Sequence, residues 1–310
     1  MNNNILNTNI QEFINKNLDA DVVSLLLKGK PFPSIETKAI IEQIEAKKRC
    51  KTKLPTWFSS NKIYYPNKLN IEQTSSEVTA KYKSELIAGN TIIDLTGGFG
   101  VDCFYFSKYF EVVTHCEINR ELSKIVAHNY NQLKNSRINT VNSDGLEYLI
   151  TSKKRFDWIY IDPSRRHNSK GRVFFLKDCL PNIPKHLDIF IEQADNILIK
   201  SSPLLDLSVG LNELKHVKCI HIVAVNNEVK ELLWILEKDY SEDITVETIN
   251  LKAENKETFS FKLHNESNID VKYSVPLRYL YEPNAAILKS GGFNACLLYT
   301  SDAADDVSTV

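Results

Sequence analysis

The stretch from residue 91 to residue 102 constrains this chain more than any other part of its sequence. Apolar residues lead into Asp94, a turn with three glycines in four positions follows, and an apolar segment begins directly after it. This order predicts a strand, a tight loop and the start of a helix. Glycine tolerates positive φ and lets the backbone approach a ligand closely, and a helix N-terminus presents unpaired N–H groups. The junction therefore predicts a site for a nucleotide-like ligand.

The spacing within the loop narrows the choice of ligand. Thr96, Gly98 and Gly100 follow Asp94 at plus two, four and six, and Gly97 fills the turn between them. A dinucleotide-binding loop would show GxGxxG, which is missing here. The observed order resembles the first motif of class I S-adenosylmethionine (SAM) methyltransferases, with threonine in place of the usual first glycine. Another nucleotide-binding fold and a purely structural turn both remain open at this point.

Strand-like and helix-like runs alternate from residue 91 onward, which predicts an α/β fold with a parallel, doubly wound sheet. The predicted strands are 91–95, 112–117, 138–142, 156–161, 196–200 and 218–225, and the predicted helices lie near 101–109, 120–134, 145–151, 173–194 and 228–238. Alternation of apolar and polar residues within 241–265 predicts a closing antiparallel pair. Ligands of such sheets bind at the carboxyl ends of the strands.

Length and composition argue against a secreted, membrane-spanning or zinc-stabilised protein. The chain of 310 residues is long enough for two domains. It has no signal-like N-terminus and no apolar run of membrane-spanning length. Six cysteines without a CxxC pair make structural zinc and a disulfide framework poor interpretations. We therefore expect a cytoplasmic protein that needs neither a metal nor a membrane.

The segment before the glycine loop is helical and basic. Apolar spacings of three and four predict a small helical domain over residues 1–68. Residues 28–68 contain ten Lys or Arg against three Glu, a balance that suits a polyanion but also an ordinary solvated face. Farther on, Ser75 or Ser76 can cap a helix that runs to Ile87.

Two acidic residues follow the second and third predicted strands. Glu117 lies 23 residues after Asp94, where an acid in a βαβ unit can accept hydrogen bonds from both ribose hydroxyls. Asp144 follows the third strand and can accept a hydrogen bond from the adenine amino group. It can equally be the N-cap of the next helix.

The fourth predicted strand ends in Asp162, Pro163, Ser164, Arg165 and Arg166. Proline cannot continue a sheet ladder, so Asp162 should lie at the sheet rim. Nucleic-acid amino methylases carry a related Asp/Asn-Pro-Pro-aromatic element, in which this chain has serine and arginine at the last two places. The two arginines can bind a phosphate bidentately. Residues 153–172 hold seven basic against two acidic residues, which predicts either an anionic substrate or a solvated loop.

The fifth predicted strand ends at Lys200, before a Ser-Ser-Pro turn. Its ammonium group can orient a substrate or the carboxylate of the methyl donor. A purely structural turn is an equal alternative.

Taken together, these motifs resemble those of a bacterial family of class I SAM-dependent methyltransferases that carry a THUMP-like C-terminal domain. The resemblance rests on five segments in order: Glu72–Lys83, Asp94–Asp102, Asp162–Arg166, Lys200–Asp206 and Tyr281–Ala286. Members of the family usually have alanine where Ser164 stands. The resemblance implies a Rossmann-like class I methyltransferase sheet, SAM as cofactor and, because THUMP modules bind RNA, an RNA substrate.

The resemblance also implies a domain plan. The expected parts are an N-terminal helical domain 1–68, a methyltransferase domain 69–275, the start of a ferredoxin-like segment 276–295, and a tail 296–310. The tail reads like a translated sequencing adapter, so we expect it to contribute nothing to the fold. We therefore expect the C-terminal module to be cut short.

The sequence as a whole predicts a SAM-dependent methyltransferase of RNA. The residues expected to bind SAM are Asp94, Thr96, Gly97, Gly98, Gly100, Glu117 and Asp144, and those expected to position the acceptor are Asp162, Pro163, Arg165 and Arg166. Methylation of a small anionic molecule and a non-catalytic role as a nucleotide- or RNA-binding adaptor are the alternatives.

Overall fold

The computed structural model describes residues 1–27, 29–165, 174–266, 268–269, 275 and 282–298. The chain divides into two compact units, Met1–Asp157 and Trp158–Val310. Among the helices in the described ranges, none combines the length and apolar character required to cross a bilayer. The predicted domain boundaries after residues 68, 275 and 295 remain predictions.

The first unit begins with helices, as the apolar spacing predicts. Its helices are α1 Thr8–Lys16, α2 Val22–Leu27, α3 Thr37–Lys53, α4 Pro55–Ser59, α5 Lys68–Gln73, α6 Glu77–Leu86, α7 Val101–Phe106, α8 Arg120–Gln132 and α9 Gly145–Ser152. Ile10 and Ile14 of α1 pack against Ile40 and Ile44 of α3 in one buried cluster. Because these residues recur every three or four positions, each helix buries one side.

Three parallel strands follow in the first unit. They are β1 Gly89–Asp94, β2 Phe110–Cys116 and β3 Ile138–Val141, in the order β1–β2–β3. The register places Ile93 opposite Thr114, and Thr114 opposite Asn139. The predicted strands are confirmed to within two residues. Because the strands are parallel, their carboxyl ends lie at one edge of this part of the sheet.

The second unit contains the remaining strands and helices. Its strands are β4 Phe156–Ile161, within which the unit boundary falls, β5 Ser164–Arg165, β6 Cys179–Leu180, β7 Ala194–Ser201, β8 Val217–Val225, β9 Glu228–Glu237, β10 Thr245–Leu251 and β11 Lys256–Lys262. Its helices are α10 Ile183–Gln193, α11 Leu207–Glu213, α12 Leu263–Glu266 and α13 Ala285–Ser290. The strand order is β4–β7–β9–β8–β10–β11, and β5 and β6 form a separate pair. The closing antiparallel pair is confirmed as β10 and β11.

The predicted helix 228–238 is wrong, because this segment is strand β9. Asn226 and Asn227 have φ of 50° and 63°, as a two-residue type I′ hairpin requires, and β9 runs antiparallel to both β7 and β8. The residues from Glu231 to Trp234 are all buried. A strand covered on both faces loses the alternation by which a strand is recognised, and its Glu, Lys and Leu residues favour a helix locally.

A buried polar network joins α6 to α7. The Lys83 Nζ lies 3.2 Å from Asp102 Oδ1, with the lysine side chain fully buried. The Ser75 hydroxyl donates to Asp102 Oδ2 at 2.8 Å. Ser76 caps α6 by accepting from the Thr79 N–H, as predicted. Since α7 follows the glycine loop directly, this network holds the helix on which the loop ends.

Replacing Asp102 with asparagine should destabilise the fold, because it removes the carboxylate that faces the buried Lys83 ammonium. We expect the free energy of unfolding in urea at pH 7 to fall by about 3–5 kcal/mol. Lys81→Met is the matched control, since Lys81 lies on α6 with Lys83 but forms an exposed pair with Glu85. This substitution should change the free energy of unfolding by less than about 1 kcal/mol. Equal stability of Asp102→Asn and the wild type would contradict a structural role for the pair.

Candidate functional site

The glycine loop after β1 requires glycine at two positions for different reasons. Gly98 and Gly100 both have left-handed backbones, with φ of 56° and 78°, which side chains rarely adopt. A Cβ on Gly100 would also lie 2.1 Å from the Tyr130 hydroxyl oxygen. Among the described residues, in contrast, a Cβ on Gly98 would meet only the Thr96 carbonyl oxygen, at 3.7 Å. The loop therefore packs against α8 at Gly100 and leaves space for a ligand at Gly98.

The buried carboxylate of Asp94 shapes this loop. Its Oδ1 accepts hydrogen bonds from the Thr96 N–H at 2.8 Å and the Thr96 hydroxyl at 3.0 Å. Its Oδ2 accepts from the Cys103 thiol, with the sulfur at 3.3 Å. The departure from glycine at position 96 thus has a physical role, since the threonine hydroxyl adds a second bond to Asp94. Burial raises the pKa of Asp94 to about 7, against the lowering effect of the Thr96 hydrogen bond.

Glu117 comes directly after β2 and contacts the loop. Its Oε2 accepts from the Gly98 N–H at 3.0 Å, and its Oε1 accepts from the Asn119 N–H at 2.6 Å. Burial raises its pKa, whereas these two backbone bonds lower it. A carboxylate oxygen can accept more than one hydrogen bond. Glu117 is therefore held rigidly beside Gly98 with acceptor capacity suited to a pair of hydroxyls.

Asp144 lies next to the same loop through the residue that follows it. A Cβ on Gly145 would lie 2.2 Å from the Leu95 carbonyl oxygen, so the start of α9 packs directly on the end of β1. Asp144 caps α9 by accepting from the Glu147 N–H at 3.0 Å. The capping alternative is therefore realised, and the contact with adenine remains a prediction.

His115 supports the loop, a role that was not predicted from the sequence. Its ring is fully buried, and a Cβ on Gly97 would lie 2.5 Å from His115 Nε2. Within the described residues neither ring nitrogen has a hydrogen-bond partner. Burial lowers the pKa of His115 to about 4, so the ring is neutral near pH 7. Strand alternation could have indicated this role. His115 on β2 lies two residues before Glu117, so the two side chains are expected on the same face of the sheet.

In the second unit, Asp162 follows β4 and forms an ion pair. Its Oδ2 lies 2.5 Å from Lys200 Nζ, at the end of β7. Both side chains are partly exposed, 30% for Asp162 and 14% for Lys200. Several roles for Lys200 are compatible with the sequence, and in the structure Lys200 pairs with Asp162, the residue predicted to position the methyl acceptor.

The residues after Asp162 form a short structural element. Pro163 is buried, and Ser164 and Arg165 pair with Leu180 and Cys179 as strand β5. The Arg165 guanidinium carbon lies 6.0 Å from the centre of the Phe174 ring, a cation–π distance. Arg166 lies outside the described residues.

No metal centre emerges from the part of the chain that the structure describes, because no three His, Cys, Asp or Glu side chains there are grouped to hold an ion.

The fold of this chain is similar to that of a solved structure. A crystal structure of a proposed methyltransferase from Porphyromonas gingivalis W83 shares 32% sequence identity, with a TM-score of 0.84 over 96% of this chain and 74% of that one. The chain belongs to this methyltransferase family. A family model described as a ferredoxin-like domain also matches residues 279–297.

Curated relatives match a shorter part of the sequence. Ribosomal RNA small subunit methyltransferase J of Francisella tularensis subsp. novicida strain U112 is 30% identical over 105 residues. The protein of the same name from strain SCHU S4 has the same identity over the same length. The match covers 31% of this chain and 44% of each relative. The chain therefore spans less than half the length of these curated relatives.

The raised pKa of Asp94 predicts a pH dependence of stability. In the unfolded chain the carboxyl has its ordinary pKa of 3.8, and in the folded protein about 7. The folded state therefore binds more protons, and the contribution of Asp94 to stability falls as pH rises from about 4 to about 7, by up to about 1.4 kcal/mol per unit. Asp94→Asn cannot ionise, so its stability relative to the wild type should rise across this interval.

Urea denaturation of both proteins between pH 4.5 and 7.5 measures this difference. Comparing the two proteins is necessary because His115, with a pKa lowered to about 4, makes the opposite contribution, which rises with pH between about 4 and 6.5 in both proteins. A constant difference between the variant and the wild type would show that Asp94 does not titrate in this range.

Proposed function

We propose that this chain is a SAM-dependent methyltransferase that acts on RNA. The observation that carries the proposal is the contact between Glu117 and Gly98, at which an acid after β2 bonds to the open position of a glycine loop after β1. Membership of the methyltransferase family supports the same activity. The proposed location for the protein is the cytoplasm.

The residues of the first unit suit SAM. Glu117 would accept hydrogen bonds from the ribose hydroxyls, and the open side of Gly98 would let the ligand approach the backbone. Asp94 and Thr96 bond to each other, so their part would be to keep the loop in shape. Asp144, which is exposed beside the loop, would read the adenine amino group through its carboxylate.

The residues of the second unit suit the acceptor. Asp162 would accept a hydrogen bond from the group to be methylated, while Lys200 holds its carboxylate in place. Arg165 and Arg166 would contact a neighbouring phosphate. SAM supplies an activated methyl group when bound, so the chain itself mainly has to align the acceptor.

Two observations support RNA as the substrate class. The curated relatives that match 105 residues of the chain are named as methyltransferases of ribosomal RNA. The ferredoxin-like match over residues 279–297 agrees with the start of the segment that, in the resembling family, precedes an RNA-binding THUMP-like module. We propose that the full protein uses such a module to hold its RNA.

Removing the Glu117 carboxylate should weaken SAM binding. We expect Glu117→Ala to raise the Kd for SAM by about 10- to 100-fold in calorimetric titration, since hydrogen bonds to a charged group contribute about 1.5–3 kcal/mol. Glu111→Ala is the matched control, because Glu111 is an exposed acid near the start of the same strand. Equal SAM affinity of all three proteins, or no binding by any of them, would refute the cofactor site.

Methyl transfer from labelled SAM to RNA tests the acceptor residues. Asp162→Ala should bind SAM normally and lose transfer to total RNA. Lys200→Met should reduce kcat by about tenfold or more and leave the SAM affinity unchanged. Lys200→Arg should keep part of the wild-type kcat, because arginine can also pair with the Asp162 carboxylate. If the wild type binds SAM but methylates only small anionic molecules, or nothing, the RNA assignment is wrong.

A further inference from the structure

A polar cleft lies in the N-terminal helices, apart from the residues assigned to SAM and the acceptor. Its volume is about 290 Å³, and it is lined by Thr8, Gln11, Glu12, Asn15, Lys47, Asn61 and Lys62. The first four recur on α1 at helical spacing, on a different side from the buried Ile10 and Ile14. Ligand sites in proteins begin at about this volume, roughly 300 Å³.

The cleft contains a buried cation with incomplete compensation. Lys47 is 7% exposed, and its Nζ donates to Asn15 Oδ1 at 2.7 Å and lies 5.5 Å from the centre of the Phe58 ring. An ammonium has three donors. In the described part of the chain, the Asn15 side chain and the Phe58 ring are the partners of the Lys47 ammonium, and neither is a carboxylate. Burial of such a charge is unfavourable unless an anion approaches, and the pKa of Lys47 is accordingly lowered by burial.

Lys62 supplies a second cation at the cleft. Its backbone has a φ of 55°, and its carbonyl oxygen lies 2.8 Å from His128 Nε2, which fixes the loop between α4 and α5 at this point. The amide side chains of Asn15 and Asn61 offer further donors, and the Gln11 amide already donates one hydrogen bond to the Ile5 carbonyl oxygen at 2.8 Å. Among the described residues that line the cleft, Glu12 is the one acid and Lys47 and Lys62 are the two bases, so the lining carries a net positive charge.

Several other basic residues of this region pair with acids within the chain. Lys30 lies 2.8 Å from Glu36, Lys48 lies 3.3 Å from Asp19, and Arg49 and Lys68 lie 3.4 Å and 3.7 Å from Glu72. The excess of positive charge over residues 28–68 is therefore partly neutralised on these surfaces. At the cleft, the structure records no such pairing for Lys47 or Lys62 among the described residues.

We propose that this cleft binds a backbone phosphate of the RNA substrate. That the polymer is RNA rests on the proposed function. That the cleft binds a phosphate rests on the charge and the hydrogen-bond donors of its lining residues. A phosphate oxygen would accept hydrogen bonds from Lys47 and from the amides, and the exposed Lys62 would approach from the loop. The contact is independent of base sequence, so it would position the RNA without selecting the methylated nucleotide.

Binding of a short fluorescent single-stranded RNA to the full chain, followed by anisotropy at several salt concentrations, tests this site. We expect Lys62→Glu to weaken binding about tenfold or more and to reduce the salt slope by about one. Lys47→Met keeps most of the buried stem and should weaken binding about three- to tenfold. Glu12→Gln should tighten binding a few-fold because it removes a like charge.

Lys38→Glu is the matched control. Lys38 is exposed on α3 nine residues before Lys47, which places it about half a turn away around the helix, and it is not part of the cleft. Its charge reversal should change the Kd less than about twofold. SAM affinity and thermal denaturation of every variant report whether the fold is kept. Lys62→Glu provides the test at an exposed position if Lys47→Met fails to fold.

The outcomes separate this inference from the proposed function. If the wild type binds and methylates RNA while Lys62→Glu and Lys47→Met bind as the wild type does, the cleft assignment alone is wrong. Equal weakening by Lys38→Glu would also overturn it, because the effect would then be general charge. If inorganic phosphate binds the cleft but RNA does not, the assignment to RNA is wrong. Failure of the wild type to methylate RNA would overturn the proposed function instead.

Discussion

The hydrogen bonds between Asp94 and Thr96 determine the shape of the candidate cofactor site. A carboxylate at the end of a buried strand is costly unless hydrogen bonds satisfy it. Here the two bonds from Thr96 draw the chain back over the strand end, and the loop then reaches Gly98 with its N–H directed at Glu117. The cost of burying Asp94 remains visible in its raised pKa.

Tight packing around the loop explains why larger residues cannot replace most of its glycines. The His115 ring lies against Gly97, the Tyr130 hydroxyl donates to the Gly100 carbonyl oxygen at 2.8 Å, and Gly145 lies against Leu95. Each of these contacts leaves no room for a Cβ on the glycine involved. Gly98 differs from these glycines because the described part of the chain leaves open space beside it, so a ligand can reach the backbone at this position.

The segment before β1 supports the same loop from α6. Besides the pair of Lys83 and Asp102, Glu77 accepts hydrogen bonds from the Thr56 N–H and hydroxyl and from the Tyr105 hydroxyl. The motif at Glu72–Lys83, which resembles that of the methyltransferase family, therefore serves as an internal connection between α4, α6 and α7. Ser75, Glu77 and Lys83 of this motif are buried and bonded within the first unit, so packing explains these three residues without a ligand.

The sequence by itself determined the α/β class, the glycine loop, the strand that ends at Asp94 and the strands that Glu117 and Asp162 directly follow, because each depends on local residue order. It failed at β9, where burial on both faces removes the alternation that marks a strand. Only the tertiary structure decided which side chains meet, as Lys200 does with Asp162 and Lys47 with the polar side of α1. These contacts join residues far apart in the chain, and no local pattern specifies them, because they arise only when separate elements pack against each other.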